Sequence, residues 1–221
     1  MQKSLEFVKN LDKIIILAQG PSWYQCPDLV PGREGMEIWG SNVIYRDHAV
    51  DRLFFAHDIK GHFFNDDMNF FENLNKIGVP IYTTGIYKPL KNNAQIPIAE
   101  ILEEFKTGFF LNVISWMLAT AILQKPKSID MYGVDMRPDA DMEFFLNEKG
   151  SVEFWVGVAM GRGIKIKNTK ESYVMKTKQE GNFPGYREKV PQNGLFTLIP
   201  KEDRNILAMK KYVITPIGEE Y

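Results

Sequence analysis

Five short apolar runs, each closed by a small or polar residue, and two long apolar stretches of helical length among them predict an α/β fold. The runs are rich in β-branched and aromatic residues and lack the alternation of a half-exposed strand, so they fit strands buried on both faces. Together these observations predict a Rossmann-like three-layer sandwich with a mostly parallel sheet and a C-terminal appendage. The chain has 221 residues, 44% of them hydrophobic and 13% aromatic, which is enough apolar material for one such core.

Lys13-Ile-Ile-Ile-Leu-Ala18 is the first strand, halted by Gln19-Gly20-Pro21-Ser22. Met36-Glu-Ile-Trp-Gly40 ends at Ser41-Asn42, and Arg52-Leu-Phe-Phe-Ala56 ends at His57-Asp58. Val79-Pro-Ile-Tyr82 runs into Thr83-Thr84-Gly85, and Ser128-Ile-Asp-Met-Tyr132 into Gly133-Val134-Asp135. Phe110 to Leu123 is the longest apolar helix, stopped by Pro126. A second helix spans about Glu148 to Arg162, ends at Gly163 and is followed by a strand, Ile164 to Lys167. Residues 1–167 are thus expected to form the Rossmann-like nucleotide-binding core. Residues 168–221 form an extension that packs on the core or on a partner subunit.

Composition narrows the function. A single cysteine, Cys26, excludes an internal disulfide, and no Cys/His cluster has the spacing of a structural zinc site. No apolar stretch of signal-peptide length precedes Asp12 and nowhere do 18 apolar residues run together, which predicts a cytoplasmic protein that does not engage a membrane. A net charge of −1 argues against indiscriminate polyanion binding. One local exception is residues 165–189, with seven basic and three acidic side chains. That segment is either a solvated flap or dimer arm, or a cover for a phosphate-rich ligand.

In a parallel sheet, ligands bind outside the carboxyl ends of the strands, where the closing residues converge. Gln19, Gly20, Pro21 and Ser22 offer backbone N–H groups and a hydroxyl at the start of a helix, suited to a phosphate or to an ordinary strand-to-helix turn. They match neither the dinucleotide fingerprint nor a P-loop. Asn42 carries an amide that suits a ribose or a base edge. His57 and Asp58 form a titratable pair or a buried histidine beside a helix cap, with His62, Asp66 and Asp67 nearby. Asn112 and Ser115 share one face at the front of the apolar helix, as ligand contacts or as cap and first-turn residue. Asp135 sits just past the fifth strand, and with Arg137, Asp139, Asp141, Glu143, Glu148 and Glu153 it belongs to a charged loop that suits a divalent metal, an acceptor hydroxyl or plain solvation. Trp23, Tyr24 and Trp39 lie near the same end, as stacking platforms or as core.

These turns resemble known layouts. Gln19-Gly-Pro-Ser22, Trp39-Gly-Ser-Asn42 and Tyr132-Gly-Val-Asp135 are similar to the turns of the bacterial lipo-oligosaccharide sialyltransferases and of the archaeal 6-hydroxymethyl-dihydropterin diphosphokinases. The nearer resemblance is to a Rossmann-like family of tailed-phage proteins, carried by Asp51 to Asp58, the Asn112 helix and Glu148 to Ile164, and covering about residues 13–167. The resemblance implies that Gly20, Pro21, Ser22 and Asn42 hold a donor nucleotide and that Gly133 and Asp135 line the same pocket. The chain departs from the sialyltransferases at Gln19, at Val113-Ile114 and in having no late histidine, so the base would be His57, Asp135, Glu148 or Glu153.

The expectation is a nucleotide-dependent transferase of glycosyltransferase type, moving a group from a nucleotide or nucleotide-sugar donor to a hydroxyl acceptor. If the chain is phage-encoded, it acts in the host cytoplasm and a modified DNA base is one acceptor. The alternatives are an ATP-dependent pyrophosphokinase using Mg held through Asp135, and a non-catalytic nucleotide binder. A homo-oligomer is compatible with all three.

Overall fold

Three consecutive isoleucines fit β1 (Lys13–Leu17) to the interior of the sheet, with Ile14 and Ile16 on one face, Ile15 on the other, and all three buried. Residues 11–59, 69–137 and 142–175 are described by the computed structural model. Their sheet has seven strands in the order β5-β4-β3-β2-β1-β6-β7. Beside β1 lie β2 (Met36–Ser41) and β6 (Ser128–Tyr132). Outward from β2 come β3 (Arg52–Phe55), β4 (Ile81–Thr83) and β5 (Asn93–Gln95), and outward from β6 comes β7 (Lys165–Asn168). Every pairing is parallel, so the expected mostly parallel sheet is wholly so among the described residues. The fold is α/β and Rossmann-like.

Side chains alternate across the strands and divide the core in two. Ile14, Ile16, Trp39, Phe54, Tyr82, Met131 and Ile166 face α3 (Val113–Leu123) and α4 (Met142–Gly161), with α2 (Ile98–Phe105) beside them. Ile15, Leu17, Ile38, Leu53, Phe55 and Ile81 pack with Phe70 and Leu74 of α1 (Phe70–Ile77) on the opposite face. This is the three-layer arrangement. Nine of the eleven residues of α3 are buried, which is why that helix is apolar all round: sheet and helices enclose it. Trp39 is core, fully buried and stacked on Phe54 at 5.2 Å, with Phe54 stacked on Tyr82 at 4.8 Å. On the same face Glu37 accepts from Arg52 Nε at 2.6 Å and from Trp39 Nε1 at 2.7 Å, while Arg52 Nη1 donates to the Tyr82 hydroxyl at 2.7 Å.

Element ends follow local chemistry. Helix α3 begins three residues later than the apolar run suggests. Phe110 turns aside to stack on Trp116 at 3.7 Å, and Asn112 and Ser115 close a capping box. Helix α1 stops at Gly78, whose φ of 77° is the left-handed conformation that a helix terminus favours. The chain lays β1 to β5 in one direction and then crosses to β6 and β7 on the other side of β1. The topological switch point therefore lies between β1 and β6, at their carboxyl ends.

Candidate functional site

At the switch point two turns meet. Ser22 N–H donates to Asp135 Oδ2 at 2.7 Å, the Ser22 hydroxyl donates to Asp135 Oδ1, and Gly20 N–H donates to Gly133 O at 2.8 Å. The Ser22 oxygen also accepts from Gly133 N–H and from the Thr169 hydroxyl, each at 3.0 Å, which fills its hydrogen-bonding capacity. Both glycines serve this contact. A Cβ on Gly20 would lie 2.7 Å from Asp135 Oδ2, and one on Gly133, already at φ 66°, would overlap the Ala18 carbonyl. Of the two readings of the Gln19–Ser22 turn, free amides for a phosphate or an ordinary strand-to-helix turn, the hydrogen bonds describe a closed latch. Ser22 and Asp135 are 1% and 3% exposed, and the N–H of Trp23 is turned onto Gly20 O at 3.0 Å. Pro21 has no N–H to offer, and Gln19 is exposed at the lip of the turn.

The next strand end is different. Asn42 follows β2 with φ 50°, a left-handed backbone that asparagine tolerates better than most residues, and its N–H donates to Phe54 O at 2.9 Å. Leu17 pairs with Gly40, so two residues on, Asn42 stands level with Gln19 at the carboxyl edge. Its Oδ1 is buried and has no hydrogen-bond partner. The same is true of the Tyr45 hydroxyl and His48 Nε2 in the turn that follows. Sequence reasoning singled out Asn42 alone of these three.

Helix α3 returns the chain to the amino end of β6, so its first residue is at the carboxyl edge. There Asn112 caps it, accepting from Ser115 N–H at 2.9 Å, and donates through Nδ2 to Glu148 Oε2 at 3.2 Å. Burial pushes the half-buried Glu148 carboxyl above the ordinary carboxylate range, and the Asn112 amide pulls it part of the way back. The Asn112 cap and Glu148 are thus one unit, joining two of the expected site residues. Glu153, further along α4, pairs with Lys149 one turn before it at 2.5 Å. His57 and Asp58 are exposed beyond β3, and Asp58 accepts from the Tyr87 hydroxyl at 2.8 Å. Arg162 belongs to the opposite edge, beyond the C-terminal end of α4, over Phe105 and paired with Glu104 at 2.8 Å.

His62, Asp66, Asp67, Asp139, Asp141 and most of the basic segment lie outside the described residues. Among the described residues no group of three or more His, Cys, Asp or Glu side chains is gathered as a metal site. None of their helices is long and apolar enough to cross a membrane. Cys26 is buried, and burial pushes its thiol up to about 12, so it is no nucleophile at neutral pH.

No family model and no curated protein matches the chain. Solved structures similar to it include the sialyltransferase CstII from Campylobacter jejuni in complex with cytidine-5'-monophosphate, at 12% identity and a TM-score of 0.48 over 73% of this chain and 81% of that one. The monofunctional alpha-2,3-sialyltransferase Cst-I from Campylobacter jejuni is similar over 96% of this chain and 97% of its own, at 14% identity and a TM-score of 0.48. Thiamine pyrophosphokinase from Bacillus subtilis is similar over 71% of this chain and 59% of its own, at 16% identity and a TM-score of 0.41. At such identities no residue's role passes from them to this chain.

Proposed function

We propose that the protein is a nucleotide-dependent transferase of glycosyltransferase type, which moves a group from a nucleotide-activated donor to a hydroxyl acceptor. The observation that carries this reading is Asn42: a left-handed residue at the carboxyl edge, one strand from the switch point, with a buried amide oxygen left unpartnered. A buried polar atom without a partner costs about 1–3 kcal/mol, a cost that a ligand bound there removes. The nucleoside of the donor lies against Asn42, with Gln19 at the lip. Gly20, Pro21, Ser22, Gly133 and Asp135 act as positioning residues, holding β1 and β6 together beneath it.

Glu148 is the general base of this proposal. A carboxylate raised by burial has more appetite for a proton than a solvated one, which suits it to take the acceptor's hydroxyl proton as the new bond to the transferred group forms. Asn112 holds it in place. The leaving nucleotide departs with the bonding electron pair, and Arg137, exposed past β6 at the same edge, supplies positive charge for its phosphate. His57 and Asp58 stand at the β3 end of the edge, on the acceptor side.

The test is a thermal-shift panel of nucleoside mono-, di- and triphosphates and nucleotide sugars with and without magnesium, followed by mass spectrometry of the incubated ligand. A ligand that binds only the folded state raises the melting temperature. Stabilisation by one nucleotide class, lost in Asn42→Ala and kept in Glu148→Gln, with turnover lost in both, is the expected result. Binding without turnover by the wild type would reduce the protein to a nucleotide binder, and no shift with any nucleotide would end the donor-site reading.

A further inference from the structure

We infer that Lys170 binds the phosphate of the donor nucleotide together with Arg137; this rests on the nucleotide reading above. The basic segment after β7 reads from sequence as a flap, an arm or a cover for a phosphate-rich ligand. Its first residues pack on the switch point, and their contacts favour the last of these.

The pairing of β7 with β6 sets Asn168 level with Met131, so β7 delivers the chain to the same carboxyl edge. Four bonds then tie the turn that follows to both sides of the latch. The Thr169 hydroxyl donates to Ser22 Oγ at 3.0 Å and Gln25 Nε2 donates to Glu171 Oε2 at 2.8 Å, which fastens it to the turn after β1. The Ser172 hydroxyl donates to Val134 O at 2.6 Å and Tyr173 N–H donates to Asp135 O at 2.8 Å, which fastens it to the turn after β6. The turn is also braced within itself: Asn168 Nδ2 donates to Ser172 Oγ at 2.7 Å, and Asn168 Oδ1 accepts from Thr169 N–H at 3.0 Å.

Lys170 stands between two of these anchored residues, Thr169 and Glu171, and its own side chain is exposed. Its backbone is thereby fixed at the switch point, and its ammonium rides on a long flexible stem. Arg137, two residues past Asp135, is exposed at the end of the neighbouring strand. The latch itself has no amide to spend on a phosphate, because the N–H groups of Gly20, Ser22 and Gly133 are all engaged within it. Recognition of a phosphate at this edge therefore falls to side-chain charge rather than to a nest of backbone amides. The nearby carboxylates are engaged as well, Asp135 by Ser22 and Glu171 by Gln25. Two cations carried on adjacent strand ends suit a phosphate with two negative charges.

The experiment is isothermal titration of the full chain with the mono- and diphosphates of the four common nucleosides and with the nucleosides themselves, weak nucleosides being read by competition. A nucleotide that binds should bind more tightly than its nucleoside. Lys170→Ala should weaken it about tenfold, the scale of one hydrogen bond to a charged group, and leave the nucleoside's affinity and the melting temperature unchanged. Lys167→Ala is the control, since it removes the same charge from an exposed position on β7 itself and should weaken the nucleotide by less than about twofold. Equal loss in the two variants, no loss in Lys170→Ala, or equal binding of nucleotide and nucleoside by the wild type each overturns the inference and leaves the nucleotide reading standing. Failure of every nucleotide and nucleoside to bind overturns both.

Discussion

Replacing Gly133 by alanine tests the latch between β1 and β6. Two costs add. The left-handed backbone at φ 66° is disfavoured for an alanine by about 1–2 kcal/mol. The new methyl would overlap the Ala18 carbonyl, so the two turns must part. Parting them strains the bonds from Gly20 N–H to Gly133 O and from Ser22 to Asp135. Losing one or two of these buried bonds costs about 1–3 kcal/mol each. The total is about 2–8 kcal/mol. Gly163 supplies the control, because its φ of 78° is as left-handed but no atom lies within 4 Å of a Cβ placed there. Gly163→Ala should therefore lose only the backbone part, about 1–2 kcal/mol. Urea unfolding followed by far-ultraviolet circular dichroism measures both, with the melting temperature falling by about 2–4 °C per kcal/mol in a chain of this size. If Gly133→Ala loses no more than Gly163→Ala, the close approach of the two turns is not what demands glycine, and the latch argument fails.

Three other outcomes follow from the same geometry. Asn112→Ala removes a helix cap worth about 1 kcal/mol and also the bond that restrains Glu148, so the acid limb of a pH–rate profile should move to higher pH. A capping residue with no tie to Glu148 would leave that limb in place. Glu148 itself binds its proton more tightly folded than unfolded, so its contribution to stability declines as pH rises from the ordinary carboxylate range through its raised value. Glu148→Gln should gain stability relative to wild type only above that window, as chemical melts at acid and neutral pH would reveal. Glu37→Gln removes the carboxylate that pairs with the buried Arg52 guanidinium and should cost about 3–5 kcal/mol, read as a lower urea midpoint with an unchanged slope.

The central strands were legible because burial on both faces writes itself into a sequence. Lys13–Leu17 and Ser128–Tyr132 need isoleucine and methionine wherever they touch a helix layer, and the runs mark their own ends. The strand β5 was not legible. Asn-Ala-Gln has no β-branched residue, and its extended form comes from pairing with β4 and from Asn93, whose amide bonds Ile81 O and the Thr83 hydroxyl. The same limit applies to the site. Ser22 and Asp135 could each be picked out as residues closing a strand, but a separation of 113 in sequence hides the fact that they satisfy one another. Asn112 and Glu148 were seen as separate candidates for the same reason, since a helix cap and a mid-helix carboxylate meet only once α3 and α4 are packed. Trp39 was ambiguous in the sequence because both a stacking platform and a core residue ask for an aromatic at the end of a strand.

The latch also changes how the ancestry of such a chain should be read. A turn of glycine, proline and serine facing a glycine and an aspartate is kept by assembly alone, whatever chemistry goes on above it. A descendant that had lost its substrate would still carry Gly20, Ser22, Gly133 and Asp135, because they hold the turns that follow β1 and β6 against each other. Asn42 contributes no such closure through its unpartnered amide oxygen, and in that descendant it would be free to drift. Inheritance of the first set testifies to a shared scaffold, and inheritance of Asn42 to a shared task.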